Sequence, residues 1–203
     1  MNKKKTLLIL ILVFILLLGG AYFLYRQLGQ DFAPDQLATQ APTEPESPES
    51  QTEEPAETQE EPVMAPDFTV YDAEGNPVNL YDYTGKPIIG NFGASWCGPC
   101  QMEMPDFHEK YLELGEEVQF LMINMTDGSR ETVESASGFI SEQGYTFPVF
   151  YDTTTEAAMT YGAYSLPTTF FINAEGHAIA KATGAIDGDT LQRGIDMIYE
   201  PAQ

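Results

Sequence analysis

The fold of this chain is limited most by the position of its two cysteines. Cys97 and Cys100 lie three residues apart, after the apolar run Pro87–Ala94, which predicts a buried strand. A helical pattern begins at the cysteines and extends to Leu114. A cysteine at a helix N-terminus meets free backbone N–H groups and the positive end of the helix dipole, and both stabilise its thiolate. The pair therefore predicts thiol chemistry at a strand–helix junction.

Two closely spaced cysteines fit other uses poorly. A disulfide-stapled scaffold needs more cysteines at wider spacing, and a zinc site usually needs four ligands. We therefore predict no metal and no cofactor. The thiolate is the attacking species in disulfide exchange, so Cys97 is the predicted nucleophile and Cys100 the shielded partner that resolves the mixed disulfide. Gly98 and Pro99 keep the turn between them tight.

A proline at the start of a later strand is the second informative feature. Pro167 cannot donate a hydrogen bond to a neighbouring strand. A cis Leu166–Pro167 bond would present the backbone of Leu166 to an incoming peptide beside the cysteines, whereas an ordinary trans proline is the alternative. Trp96 directly precedes the first cysteine, and we expect it to contact a partner protein.

Residues 63–203 alternate apolar runs with helical patterns, which is typical of an α/β protein. The predicted strands are Asp67–Tyr71, Val78–Leu80, Pro87–Ala94, Val118–Met125, Phe147–Phe150, Leu166–Ile172 and Ala178–Thr183. Four helices are predicted. The first two are Cys97–Leu114 and residues 130–143. The third begins at a capping box, Thr153–Glu156, and ends at Tyr161, and the fourth runs through Leu191, Ile195 and Ile198. This length is enough to bury a hydrophobic core.

The N-terminus predicts a membrane anchor over residues 1–26. Lys3, Lys4 and Lys5 precede the uncharged run Thr6–Tyr25, whose 20 residues span about 30 Å as a helix, the thickness of a bilayer core. The lysines favour an N-terminus inside and the rest of the chain outside. A cleaved signal peptide is the alternative, because Gly19–Ala21 offers small residues at a plausible cleavage point. Both possibilities place the domain outside the cytoplasm.

Acidic residues dominate the rest of the chain, and the net charge of all 203 residues is −22. Asp31–Pro62 holds 10 acids, six prolines and no base, so residues 27–62 are predicted to be a disordered acidic tether. Residues 63–203 hold 21 acids and five bases, with no basic stripe. Because nucleic-acid binding needs clustered Lys and Arg, the sequence predicts no nucleic-acid partner.

Three motifs resemble thioredoxin signatures in the order and spacing of that family. They are Trp96–Cys100, Tyr161–Gly162 and Leu166–Thr168. The additional helix and strand at 130–150 and the N-terminal anchor resemble the TlpA/ResA-like branch. The resemblance implies a thioredoxin fold with an αβ insertion and a protein-disulfide reductase tethered to the membrane. It also implies clients that carry disulfides and an electron donor in the membrane.

Two further positions separate this chain from cytosolic thioredoxins. Asn91 occupies the place of their buried aspartate, and Glu103 matches a glutamate of ResA-like members. If the resemblance holds here, the acid that helps to deprotonate Cys100 has moved from the strand to the helix. A solvated position on an acidic helix face is the alternative for Glu103.

Two other functions are compatible with the same fold. A peroxidase of the peroxiredoxin type would place Thr or Ser three residues before its reactive cysteine, and this position holds Ala94. A non-enzymatic module would bind clients as a chaperone or handle copper or haem. The cysteine context favours an enzyme that exchanges thiols and disulfides.

Overall fold

The computed structural model describes Leu37–Ala38 and residues 63–201, and within these residues nine strands form one sheet. The strands are β1 (Leu37–Ala38), β2 (Val63–Met64), β3 (Thr69–Tyr71), β4 (Pro77–Asn79), β5 (Ile88–Gly93), β6 (Gln119–Asn124), β7 (Val149–Tyr151), β8 (Thr168–Ile172) and β9 (His177–Thr183). The helices are α1 (Gly98–Leu114), α2 (Val133–Gln143), α3 (Glu156–Thr160) and α4 (Gly188–Asp196), with a 3-10 helix at Leu80–Tyr83.

The sheet is mixed, and its strand order is β1-β9-β8-β5-β6-β7-β3-β4, with β2 also paired to β9. At the centre, β5 runs parallel to β6 and antiparallel to β8. Asn91 pairs with Met122 on one side and with Thr169 on the other. Every residue of β5 is buried, which explains why its sequence reads as a continuous apolar run.

The side chains of the central strands alternate between two cores, as the pleat of a strand requires. Ile88 and Phe92 of β5 pack into the core beneath α3 and the 3-10 helix. Ile89 points to the opposite side, where it shares a core with side chains of α1 and α4. Helices therefore cover both faces of the sheet, and the α/β class predicted from the sequence is confirmed.

Two predicted helix starts are wrong. Helix α2 begins at Val133 rather than at residue 130, because Thr132 caps it and accepts a hydrogen bond from the backbone N–H of Ser135. The predicted capping box of α3 is absent: Thr155 has a φ of 62° and its side chain caps nothing. Asp152 takes over this function, since its Oδ2 accepts the backbone N–H of Ala158 at 2.9 Å.

Most of the predicted N-terminal segments lie outside the described residues. This applies to the anchor over residues 1–26 and to the tether over residues 27–62, except for β1. Within the predicted tether, Leu37 and Ala38 of β1 are described, and Leu37 pairs with Ala182 of β9. Among the residues that the structure describes, none of the helices has the length and apolar character needed to cross a bilayer.

Candidate active site

The two cysteines lie where β5 gives way to α1, and they form a disulfide with a Cα–Cα distance of 5.2 Å. Cys97 is the N-cap of α1, and its Sγ accepts the backbone N–H of Cys100 at 3.3 Å. Gly98 and Pro99 form the start of the helix, where a proline is tolerated because the first N–H groups have no partner in the helix. The local sequence thus places a sulfur atom at the positive end of a 17-residue helix.

The two sulfur positions differ in their surroundings. Cys97 is 5 % exposed and lines an open groove together with Trp96 and Leu166. Cys100 is 1 % exposed and lines a separate pocket on the inner side, with Asn91 and apolar side chains of β6 and α2. A molecule in the groove therefore meets Cys97 first.

The loop before β8 completes the surroundings of the disulfide. The Leu166–Pro167 peptide bond is cis, as predicted. Leu166 packs against the buried cluster of Ala94, Cys97 and Cys100. The structure therefore brings the second predicted feature to the cysteines.

Asn91 and Glu103 form a buried polar pair behind the disulfide. Asn91 Nδ2 donates to Glu103 Oε1 at 2.8 Å and to Thr169 Oγ1 at 3.0 Å. The backbone N–H of Ile186 donates to Glu103 Oε2 at 3.1 Å. Burial raises the pKa of Glu103 to about 7, although the hydrogen bonds from Asn91 and Ile186 oppose the change. Glu103 is buried, so a solvated position on the helix face is wrong.

Asn91 and Cys100 line the same inner pocket. Asn91 Oδ1 and Cys100 Sγ each lie 3.6 Å from the position that a Cβ on Gly93 would occupy. Asn91 Oδ1 is buried and has no hydrogen-bond partner among the described residues. The Asn91 amide thus donates to Glu103 through its nitrogen and keeps an unused acceptor oxygen in the buried site.

Comparison with known proteins gives a consistent result. The pattern of the AhpC/TSA family matches residues 63–180. The chain belongs to the AhpC/TSA family. It is 35% identical over 137 residues to the thiol-disulfide oxidoreductase ResA of Bacillus thuringiensis subsp. konkukian, covering 66% of this chain and 76% of that protein.

Solved structures of similar proteins confirm the thioredoxin-like fold. StoA from Bacillus subtilis is 25% identical, with a TM-score of 0.55 over 66% of this chain and 98% of that chain. The exposed lipoprotein thioredoxin of Streptococcus pneumoniae strain TIGR4 is 29% identical, with a TM-score of 0.55 over 64% and 98%. With the Cys97–Cys100 disulfide, these similarities identify this AhpC/TSA-family protein as a thiol-disulfide oxidoreductase.

Sequence reasoning missed an acid at the active site of this AhpC/TSA-family oxidoreductase. Glu131 is fully buried, and its Oε1 accepts the backbone N–H of Ser95 at 3.0 Å while its Oε2 accepts the Ser95 hydroxyl at 2.7 Å. Asn124 Nδ2 donates to Oε1 at 2.8 Å. The sequence carries no signal for this contact, because residues 130–143 read as a helix with an exposed acidic start.

The walls of the groove were also missed in part. Trp96 is 40% exposed, as expected for a contact residue, but Tyr164 at 81% was not singled out. Arg130 stacks over Trp96, with its Cζ 3.4 Å from the ring centroid. The groove beside Cys97 is therefore walled by aromatic side chains and by the Arg130 guanidinium.

Proposed function

We propose that this oxidoreductase is a protein-disulfide reductase, anchored to the membrane and acting outside the cytoplasm. The observation that carries the proposal is the asymmetry of the disulfide: Cys97 caps α1 at an open groove, and Cys100 lies behind it. Such an arrangement suits one sulfur that attacks and one that resolves. The Cys-Gly-Pro-Cys segment matches thioredoxin, whose reduction potential is about −270 mV, and this favours the reducing direction.

The reaction proceeds through two exchanges. The Cys97 thiolate attacks one sulfur of a client disulfide, which forms a mixed disulfide and releases the other client sulfur as a thiolate. Cys100 then loses its proton and attacks Cys97 Sγ, so that the Cys97–Cys100 disulfide forms and the second client thiolate leaves. The client gains two electrons and the protein loses two. An electron donor in the membrane returns them.

Glu103 is the proposed proton acceptor for Cys100 in the second exchange. A carboxyl group whose pKa is raised to about 7 by burial can take up and release a proton near neutral pH. Asn91 does not titrate; its proposed role is to accept from the Cys100 thiol with its unused Oδ1 while its Nδ2 holds Glu103.

The groove is the proposed docking place for the client. Trp96 and Leu166 both line it beside Cys97, and the cis peptide bond to Pro167 follows Leu166 directly. A client segment lying there brings its disulfide to Cys97.

The N-terminal sequence supports the proposed location. Residues 6–25 are the proposed membrane span, and residues 27–62 are the proposed tether that holds the domain away from the bilayer.

Two measurements test the direction and the clients. Equilibration of the purified protein with thiol–disulfide buffers should give a potential below about −230 mV, whereas a value near −120 mV, typical of a strong oxidant, would overturn the reductase proposal. A Cys100→Ser variant purified from cells should carry clients disulfide-linked to Cys97, and a matched Cys97→Ser variant should carry far fewer. Equal yields from both variants would contradict the assignment of Cys97 as nucleophile.

A further inference from the structure

We propose that Arg130 is a specificity-determining residue, which selects client segments carrying an acidic side chain next to the disulfide cysteine. This inference rests on the proposed reduction of client disulfides in the groove. Arg130 is held against Trp96 at the groove, and its side-chain N–H groups have no hydrogen-bond partner among the described residues.

The backbone of Arg130 is fixed from both sides. Asp127 Oδ1 accepts the backbone N–H groups of Ser129 and Arg130, both at 2.7 Å, and of Glu131 at 3.0 Å, which closes the turn. The next residue, Glu131, is buried and bonded to Ser95. Two consecutive residues of this turn therefore meet two consecutive residues that precede Cys97: Glu131 meets Ser95, and Arg130 meets Trp96.

The guanidinium is stacked, and its donors are unused. Its Cζ lies 3.4 Å from the centroid of Trp96, so one face of the planar group is covered by the indole. The N–H groups of a stacked guanidinium radiate from its edge and can bind a carboxylate with two parallel hydrogen bonds. Among the described residues, the Arg130 side chain is exposed, forms no salt bridge and donates no hydrogen bond.

Arg130 differs from the other cations of the domain in where its charge lies. Lys110 pairs with Glu113 at 2.8 Å, and Lys86 donates to the backbone carbonyl of Glu116. Within the described part of the chain, Arg130 is the one cation that lines the groove. The one acid of the groove, Asp127, has an oxygen occupied by three backbone N–H groups, and these lower its pKa to about 2.

The net charge of the domain acts in the opposite direction but over a longer range. Residues 63–203 hold 21 acids and five bases, and this excess of negative charge repels acidic proteins. At physiological ionic strength, charges are screened over about 8 Å, so the acids elsewhere on the domain act weakly on a client carboxylate in contact with Arg130. The preference is therefore for an acid close to the client cysteine, and not for acidic clients in general.

A matched pair of disulfide peptides tests the proposal on the purified full-length protein in detergent. The peptides differ only in Asp or Asn beside the cysteine, and reduction is followed by the emission of Trp96, the single tryptophan of the chain. The reduced protein is mixed with excess peptide, so each run is a single turnover that needs no further reductant. We expect the second-order rate constant to be about threefold to fivefold higher for the Asp peptide at low salt, the size of an exposed ion pair. High salt should reduce the preference.

Variants assign the preference to this side chain. Arg130→Gln should abolish it and shift the Trp96 emission. Arg130→Lys should retain less than half of it, since an ammonium lacks the stacked fork. Arg193→Gln, a control on α4 whose side chain donates to Thr190 Oγ1, should behave as wild type.

The outcomes separate this inference from the proposed function. Equal rates for both peptides in the wild type, or an undiminished preference in Arg130→Gln, would overturn the role of Arg130 and leave the reductase proposal intact. If the wild type reduces neither peptide, the proposed function fails and this inference fails with it. The peptide pair gives an answer with wild-type protein even if the variant does not fold.

Discussion

At the scale of single residues, the two cysteines sit in different surroundings and should differ in acidity. Cys97 Sγ accepts the N–H of Cys100 at the start of α1, and we expect its thiolate pKa to lie well below the ~8.5 of a free thiol. Cys100 is more deeply buried and should react more slowly. Alkylation rates from pH 5 to 9 on Cys97→Ser and Cys100→Ser check this. Faster modification of Cys100 at pH 6 would reverse the two roles.

The buried carboxyl of Glu103 should make stability depend on pH. Burial raises its pKa from 4.5 to about 7, so between these values the folded protein holds a proton that the unfolded chain has lost. The free energy of unfolding should therefore fall as pH rises through this window, by up to roughly 3 kcal/mol, and level off above pH 7. Urea unfolding measures the free energy of unfolding of the oxidised wild type and of Glu103→Gln. The difference between these two free energies should change between pH 4.5 and pH 7. A constant difference would contradict the raised pKa.

The same residue should control the resolving step of the reaction. Glu103→Gln keeps the size of the side chain but cannot take up the Cys100 proton, so mixed disulfide should persist and resolution should slow on the order of 100-fold at neutral pH. Acid trapping during reduction of a protein disulfide measures this. The rate at which Cys97 attacks the client disulfide should change little in Glu103→Gln. Glu109→Gln, an exposed acid on the same helix, is the control, and equal resolution rates in both variants would exclude the proposed role.

At the scale of secondary-structure elements, two substitutions at the start of α3 test which residue caps this helix. Asp152→Ala removes the acceptor for the N–H of Ala158 and should cost about 1–2 kcal/mol of stability. Thr155→Gly should stabilise the protein by about 0.5–1 kcal/mol, because a φ of 62° is unfavourable for a β-branched residue. Thermal unfolding of both variants checks the pair. A loss of stability in Thr155→Gly would show that the Thr155 side chain supports the start of α3.

These elements also show where prediction from the sequence succeeds. Strands such as β5 were predicted within one residue at each end, because burial on both faces leaves a continuous apolar run. The cysteine turn and the position of Pro167 were predicted, since each depends on local backbone chemistry. Asn91 and Glu103 were singled out through resemblance.

The missed residues share a physical cause. Glu131 and Asp152 are acids whose burial depends on contacts with distant or irregular segments, and no hydrophobic period marks such contacts. In a chain with 31 acids, a buried carboxylate looks like its solvated neighbours. Arg130 was counted among the five bases, but its stacking on Trp96 depends on a turn that joins residues far apart in the chain.

At the scale of the whole molecule, the N-terminus should decide where the chemistry takes place. The described domain holds both cysteines and the groove, so its location is the location of the reaction. Lys3–Lys5 ahead of the uncharged Thr6–Tyr25 favour a single span with the domain outside. The acidic tether would then let the domain reach clients at a distance from the bilayer.

Protease treatment of spheroplasts tests this arrangement. We expect added protease to digest residues 63–203 in intact spheroplasts, while a short N-terminal fragment remains in the membrane fraction, because only the segment within the bilayer is protected. A cytoplasmic protein measured in parallel should survive until the cells are lysed. If the domain survives together with that control, the orientation is wrong. If the full-length protein is absent and a soluble form begins near Tyr22, the N-terminal run is a cleaved signal peptide, and the domain is released rather than anchored.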